Sequence, residues 1–246
     1  MNEVEIWKTA ELTKTFLENI RGAIPLANEQ IYFLLKIIQQ ASPQVTNFLD
    51  LGCGDGILGR SILSQYPDSQ GVFLDFSQPM LEAAKNKIGE KASQATFILQ
   101  DFGETAWLQS VQKKAPFDVI VSGFAIHHYP DETKQKIYQQ IFELLKPGGI
   151  FLNLEHVASA TAWVEKISDE TFIDSLYAFH QTQGNKKSRD ELAKEYYHRP
   201  DKAANILSSV EIQCHWLRNL GFRDVDCFLK VFEIALFGGK RPPANL

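Results

Sequence analysis

Thirteen residues constrain this chain more than any others: Asn47-Phe48-Leu49-Asp50-Leu51-Gly52-Cys53-Gly54-Asp55-Gly56-Ile57-Leu58-Gly59. An apolar run of strand length passes into a turn rich in glycine and then into a helical pattern. Glycine has no side chain to obstruct a ligand and adopts positive φ readily, so such a turn lets the backbone reverse close to a bound molecule. The stretch therefore predicts the first strand–turn–helix unit of an α/β domain, with a nucleotide-like ligand at the turn. Gly54-x-Gly56-x-x-Gly59 also satisfies the fingerprint for a dinucleotide pyrophosphate. Asp50 and Asp55 argue against that ligand, since two carboxylates repel a pyrophosphate at short range and suit a cation.

The segment Asp50-Leu51-Gly52-Cys53-Gly54-Asp55-Gly56 resembles the first motif of the class I S-adenosylmethionine-dependent methyltransferases, and later motifs follow from about Arg21 to Lys240. S-adenosylmethionine carries a sulfonium, an ammonium and a ribose and has no phosphate, which fits the two carboxylates. The resemblance implies an α/β, Rossmann-like fold. Its sheet has seven strands, mostly parallel with an antiparallel closing hairpin, plus an N-terminal helical cap and a helical insertion after strand 5. One methyltransferase domain is expected to fill the chain, with a cap over 1–44, a cofactor-binding core over 45–156, an insertion or acceptor lid over 157–205, and the last helix and closing strands over 206–246.

Taken in order, helical spacing predicts helices over 3–20 and 27–40, the second stopped by Ala41-Ser42-Pro43. Between them, Arg21 is placed by the resemblance against the methionine carboxylate, although a solvated arginine beside a turn explains it equally well. Ile57 to Tyr66 reads as the first core helix, and Gly71 to Asp75 as a buried strand ending in an acid. An acid at the end of the second strand can accept both ribose hydroxyls, so Asp75 is assigned to the ribose; its competing role is to cap the helix that follows, where Ser77 caps better. Phe76 and Met80 adjoin it. Ala95 to Leu99 reads as the third strand, and the resemblance assigns Asp101 to the adenine amine and Phe102 to support of the base. The plainer reading is a turn aspartate beside a core phenylalanine. The cofactor-binding set is then Arg21, Asp50, Gly52, Cys53, Gly54, Gly56, Asp75, Phe76, Met80, Asp101, Phe102, Ser122 and Phe124.

Phe117 to Ser122 reads as the fourth strand, and Gly123-Phe124-Ala125-Ile126-His127-His128-Tyr129-Pro130 follows it at the end that lines the crevice of an open parallel sheet. A helix is expected over Asp131 to Lys146, a Lys146-Pro147-Gly148-Gly149 turn, a fifth strand over Ile150 to Leu154, and Glu155-His156 at its end. If the acceptor must lose a proton, candidate bases are His127, His128, His156 and Glu155. His127 and Glu155 are the assigned catalytic residues, and His128 is read as packing against the fold. The insertion carries Trp163, Phe172, Tyr177 and Phe179, more rings than a covering helix pair needs, and a polar cluster Tyr196-Tyr197-His198-Arg199. Helix Val210 to Leu220 and strands Phe222 to Leu229 and Phe232 to Phe237 close the pattern.

Composition sets the remaining limits. A chain of 246 residues with 44% hydrophobic and 22% charged residues is ordinary for a globular protein, and a net charge of -5 gives no electrostatic footprint for nucleic acid. Three cysteines, Cys53, Cys214 and Cys227, show neither disulfide nor zinc spacing, so no metal is expected and a reducing, cytoplasmic setting is. The N-terminus has no signal-peptide core, and the apolar run near Ile31 to Ile38, broken by Lys36, falls short of a membrane span.

The expected function is methyl transfer from S-adenosyl-L-methionine to a small-molecule acceptor by in-line displacement. The alternative is a tRNA wobble-uridine modifying enzyme. Arg21-x-x-x-Pro25, the glycine loop, Glu155 and the long insertion are similar to the tRNA carboxymethyltransferases that use carboxy-S-adenosylmethionine. The chain departs from them in Gly52-Cys53-Gly54-Asp55-Gly56, and the sequence assigns no insertion arginine to the extra carboxylate. A third reading is a cofactor-binding protein without turnover.

Overall fold

The computed structural model describes residues 23–199, 202 and 204–244. The expected helix over 3–20 and Arg21 lie outside the described residues. Seven strands form one sheet in the order β3-β2-β1-β4-β5-β7-β6: β1 Asn47–Leu51, β2 Gln70–Asp75, β3 Ala95–Leu99, β4 Phe117–Gly123, β5 Leu145–His156, β6 Arg223–Val231 and β7 Ile234–Lys240. Strands β1 to β5 pair in parallel, while β7 runs antiparallel to both β5 and β6.

The apolar runs of the central strands are buried on both faces, which is why they lack polar alternation. Successive side chains feed opposite layers. On one face Leu49, Leu51, Ile120 and Phe151 pack with helices α4 (Trp107–Gln112), α5 (Asp131–Leu144) and α8 (Val210–Asn219). On the other, Phe48, Val119, Val121 and Leu152 pack with α1 (Ala27–Ala41), α2 (Ile57–Gln65) and α3 (Gln78–Ile88). Edge strand β6 keeps an exposed–half-buried alternation instead. Between β5 and α8 the chain leaves the sheet as a helical hairpin, α6 (Ala162–Thr182) and α7 (Arg189–Tyr197). Ala23, Leu176 and Leu192 form its own small apolar cluster.

Three boundaries differ from the sequence reading. The Lys146–Gly149 turn belongs to β5, because Leu145 already pairs with Phe117; a Cβ on Gly149 would come within 2.9 Å of the Lys146 carbonyl oxygen and 3.0 Å of that of Asp118. Phe232, read as strand, sits in the β6–β7 turn with φ 51°. Helix α4 is missing from the sequence reading, since two turns bury only Trp107 and Val111 and show no sustained period.

The topology fixes where ligands bind. Strand order reverses between β1 and β4, and the glycine turn after β1 and the Phe124–His128 loop after β4 meet at that switch point. No helix among the described residues is long and apolar enough to cross a membrane.

Candidate active site

The cleft after β1 is about 90 Å³ and is lined by Gly52, Gly54, Asp75, Ser77, Met80 and Phe102, among others. Gly52 at φ +67° could carry no side chain, because a Cβ would lie 2.4 Å from Ala125 Cβ. Gly54, at φ +53°, faces open space within 4 Å, and its N–H donates to Asp75 Oδ2 over 2.8 Å. The other oxygen of Asp75 accepts the Ser77 N–H at 2.8 Å. Burial pushes the Asp75 carboxyl up to about 6, against the pull of the Ser77, Gly54 and Phe76 N–H groups, and nearby Asp101 adds to the rise. Ser77 was expected to cap α3, yet its Oγ makes no cap hydrogen bond and is a buried hydroxyl without a partner among the described residues. A buried acceptor-only carboxylate, an unmatched hydroxyl, and apolar walls of Phe76, Met80 and Phe102 fit an adenosine: diol donors for Asp75 and a flat base between rings and thioether.

Other assigned cofactor residues have different surroundings. Asp50 is buried and turned away from the cleft, its Oδ2 accepting the Gly59 N–H at 2.8 Å in the first turn of α2. The carboxylate thus already occupies the donor that a phosphate would seek at this helix N-terminus. Asp55 lines the cleft but pairs with Lys87 at 2.7 Å and Arg60 at 3.5 Å. Cys53 lines it as a neutral thiol, raised well above the ordinary range by burial and by Asp75 and Asp50. Asp101 Oδ1 holds the Tyr129 hydroxyl at 2.6 Å and the Gly103 N–H at 2.7 Å. Ser122 points elsewhere: its Oγ donates to the Leu51 carbonyl at 2.8 Å inside the sheet.

A second cavity of about 480 Å³ lies between the strand ends and the α6–α7 hairpin, and Phe124 and His128 line both it and the cleft. Phe124 holds φ 52°, a strained value for an aromatic residue. Glu155 is fully buried below the cavity. Its Oε1 lies 2.6 Å from His127 Nδ1 and accepts the His156 N–H at 2.9 Å; its Oε2 accepts the N–H groups of Ile126 at 3.0 Å and His127 at 3.2 Å. Burial pushes this carboxyl up, but the His127 ring and the His156 N–H outweigh it and hold it below the usual carboxylate range. An ionised carboxylate only accepts, so the His127 hydrogen sits on Nδ1 and Nε2 carries the lone pair. His128 differs: burial and the adjacent His127 press its imidazole down to about 3, and its Nδ1 donates to the Ala204 carbonyl at 3.1 Å.

Residues 48–149 match the family described as a methyltransferase domain. Over this stretch the chain carries a methyltransferase domain. It is 33% identical over 118 residues to malonyl-[acyl-carrier protein] O-methyltransferase 2 of Ilyobacter polytropus, an alignment covering 48% of this chain and 42% of that one. It is 22% identical over 230 residues to the carboxy-S-adenosyl-L-methionine synthase of Campylobacter lari, covering 93% of this chain and 91% of the relative. The match thus spans less than half the length of the first relative. Among solved structures, the CurJ carbon methyltransferase superposes at TM-score 0.64 with 16% identity, over 98% of this chain and 61% of that one, a likeness of fold. S-adenosylmethionine is the cofactor of such methyltransferases.

The structure departs from two expectations. Glu155, assigned as catalytic, does not line the cavity: its oxygens are turned onto His127 and backbone N–H groups. Of the insertion aromatics, Phe172 lines the cavity, whereas Trp163 is 72% exposed and Tyr177 and Phe179 pack within the hairpin. Residues the sequence reading missed also line it: His180, whose Nδ1 lies 2.7 Å from the Asn185 amide, and Glu233 and Phe232 of the β6–β7 turn. The signal for that turn was topological. A strand antiparallel to β5 begins where β5 ends, and His156 indeed pairs with Ile234.

Proposed function

We propose that the chain methylates a small, largely apolar acceptor held in the 480 Å³ cavity, with His127 as general base and Glu155 as its positioning residue. The observation that carries this reading is the His127–Glu155 pair at the wall of a cavity that meets the cofactor cleft at Phe124 and His128. Asp75, Ser77, Met80 and Phe102 hold the adenosine, and Gly52 and Gly54 let it approach. When bound, S-adenosylmethionine supplies an electrophilic methyl on a sulfonium. What the chain adds is alignment in a cleft that excludes water, which can contribute several kcal/mol, and a base for an acceptor that carries a proton. A buried carboxylate behind the imidazole fixes its tautomer and stabilises the imidazolium that forms.

The insertion offers little to an RNA backbone. Lys187 pairs with Glu195 at 2.6 Å, and Arg189 with Asp174 and Glu170 at 2.6 and 2.5 Å, so its basic cluster is already matched by acids. A second reading, chemistry on a carboxylated form of the cofactor, is favoured by the near full-length match to the synthase and by Arg199, which lines the cavity with its guanidinium 4.0 Å from the Tyr196 ring centroid.

The test uses S-adenosylmethionine labelled on the methyl, incubated with fractionated cell extract. Label entering the small-molecule fraction, lost in His127→Ala while S-adenosylhomocysteine still binds, is the expected result. Label in tRNA refutes the acceptor class, and a carboxylated cofactor recovered by mass from purified protein moves the assignment to the second reading. Tight binding with no transfer from any fraction would mark a cofactor-binding protein without turnover.

A further inference from the structure

The cavity holds a second imidazole–carboxylate pair for which the reading above has no task. His156 Nε2 lies 3.1 Å from Glu233 Oε2, and both residues line the same cavity as His127. Burial pushes the Glu233 carboxyl up, but His156, Ser159 and Lys202 outweigh it and hold it below the usual range. An ionised Glu233 only accepts, so the His156 hydrogen sits on Nε2 and the lone pair on Nδ1. The same logic leaves the lone pair of His127 on Nε2. The two rings lie edge to face with centroids 5.6 Å apart, so one ligand can reach both.

Neighbouring acceptor nitrogens, those of His127 and His156 with His128 Nε2 a third beside His127, make a specific demand. A single hydroxyl has one proton and satisfies one of them, while a second, covered by the ligand, is left unmatched. Two adjacent protic groups on one ligand satisfy two.

We propose that His156, held by Glu233, is an acceptor-binding residue, and that the acceptor carries two neighbouring protic groups, as a catechol or an ene-diol does. One lies against His127 and is the methylation site; the other donates to His156 Nδ1 and sets which of the two is methylated. This rests on the cavity being the acceptor site.

Calorimetry on the full chain saturated with S-adenosylhomocysteine, titrated with catechol and separately with phenol, tests it. Catechol is expected to bind about tenfold tighter than phenol, the effect of one added hydrogen bond. His156→Phe should bring the two affinities together while those for phenol and S-adenosylhomocysteine stay put. Glu233→Gln keeps the ring but removes the ionised partner that fixes its tautomer; it should narrow the preference in the same direction, and it decides the matter if His156→Phe does not fold. Equal affinities in the unaltered chain, no catechol binding at millimolar concentration, a preference that survives His156→Phe, or an equal loss for all three ligands would each overturn the proposal. Failure of S-adenosylhomocysteine to bind the unaltered chain would instead refute the cofactor reading.

Discussion

Asp75 is stored in the folded protein at a disadvantage that a ribose on it would relieve, and this can be measured. Its carboxyl rises from an ordinary 3.8 to about 6 because it is buried, with Asp101 adding to the effect. Between those values the folded state keeps a proton that the unfolded chain has lost, so stability falls as pH rises through this window and levels off above it. A rise of about two units corresponds to ~3 kcal/mol at neutral pH. Asp75→Asn cannot ionise, but it leaves one of the Gly54 and Ser77 N–H groups poorly matched, a penalty independent of pH. The difference in stability between Asp75→Asn and the unaltered chain should therefore climb in favour of the variant by ~2 kcal/mol from pH 4 to pH 7, or roughly 4–8 °C in Tm for a domain of this size. Thermal unfolding of both proteins without cofactor, in parallel buffers, reads this difference directly and cancels every other titrating group. Ribose hydroxyls favour the ionised carboxylate, so S-adenosylhomocysteine affinity should weaken as pH falls below about 6, by up to about tenfold per unit. A stability difference flat with pH, or an affinity indifferent to it, would refute the assignment of Asp75 as a desolvated ribose acceptor.

Other expectations follow from the same geometry. Gly52→Ala places a methyl 2.4 Å from Ala125 Cβ at φ +67° and should abolish cofactor binding in calorimetry as well as lowering Tm. Glu155→Ala strands the N–H groups and imidazole that this buried carboxylate holds and should cost ~3–5 kcal/mol in denaturant unfolding, whereas Glu155→Gln should fold and show a shifted pH dependence of methyl transfer. Lys134→Met removes a buried ammonium whose partners are Asp131, Ser208 and the Ile206 carbonyl, and should lower stability by about 1–3 kcal/mol, since the Ile206 carbonyl loses its donor while Asp131 stays half exposed, with S-adenosylhomocysteine affinity little changed. Substituting Lys187 and Arg189 by Ala should leave any tRNA binding unchanged across a salt titration, since both are paired within the hairpin.

The legible part of this protein was the part whose function is carried by backbone. Gly52 and Gly54 announce a close approach, and the apolar runs of β1, β2, β4 and β5 announce a parallel sheet because burial on both faces removes polar alternation. Asp75 was singled out by its place at a strand end, and the structure sets it in the cleft wall. Residues whose meaning depends on what the fold brings opposite them were harder. Asp50 reads as a charge for the ligand, but only the structure turns it onto Gly59. Glu155 and His127 stand 28 positions apart in sequence, and nothing local tells which of the two meets the cavity. Glu233 is a lone acid in a hairpin turn, and its partnership with His156 appears once β7 is known to run against β5. For the insertion's rings, spacing alone could not separate Phe172 on the cavity wall from Trp163 in solvent.

The chain that leaves the insertion is fastened on two sides. The Ile206 N–H donates to the His127 carbonyl at 2.9 Å and the Ala204 carbonyl takes the His128 ring, while Ile206 and Ser208 bind the buried Lys134. Among the described residues these bonds tie the base of the hairpin to the loop that carries the histidines, which makes it a foot. Opening to admit an acceptor would swing its far end, around Thr182 to Ser188, about that foot, and the histidines would keep their alignment throughout. In hydrogen exchange this appears as slow amides at Ile206 and Ala158 beside fast ones near Lys186, and as little change at the foot when a ligand closes the cavity.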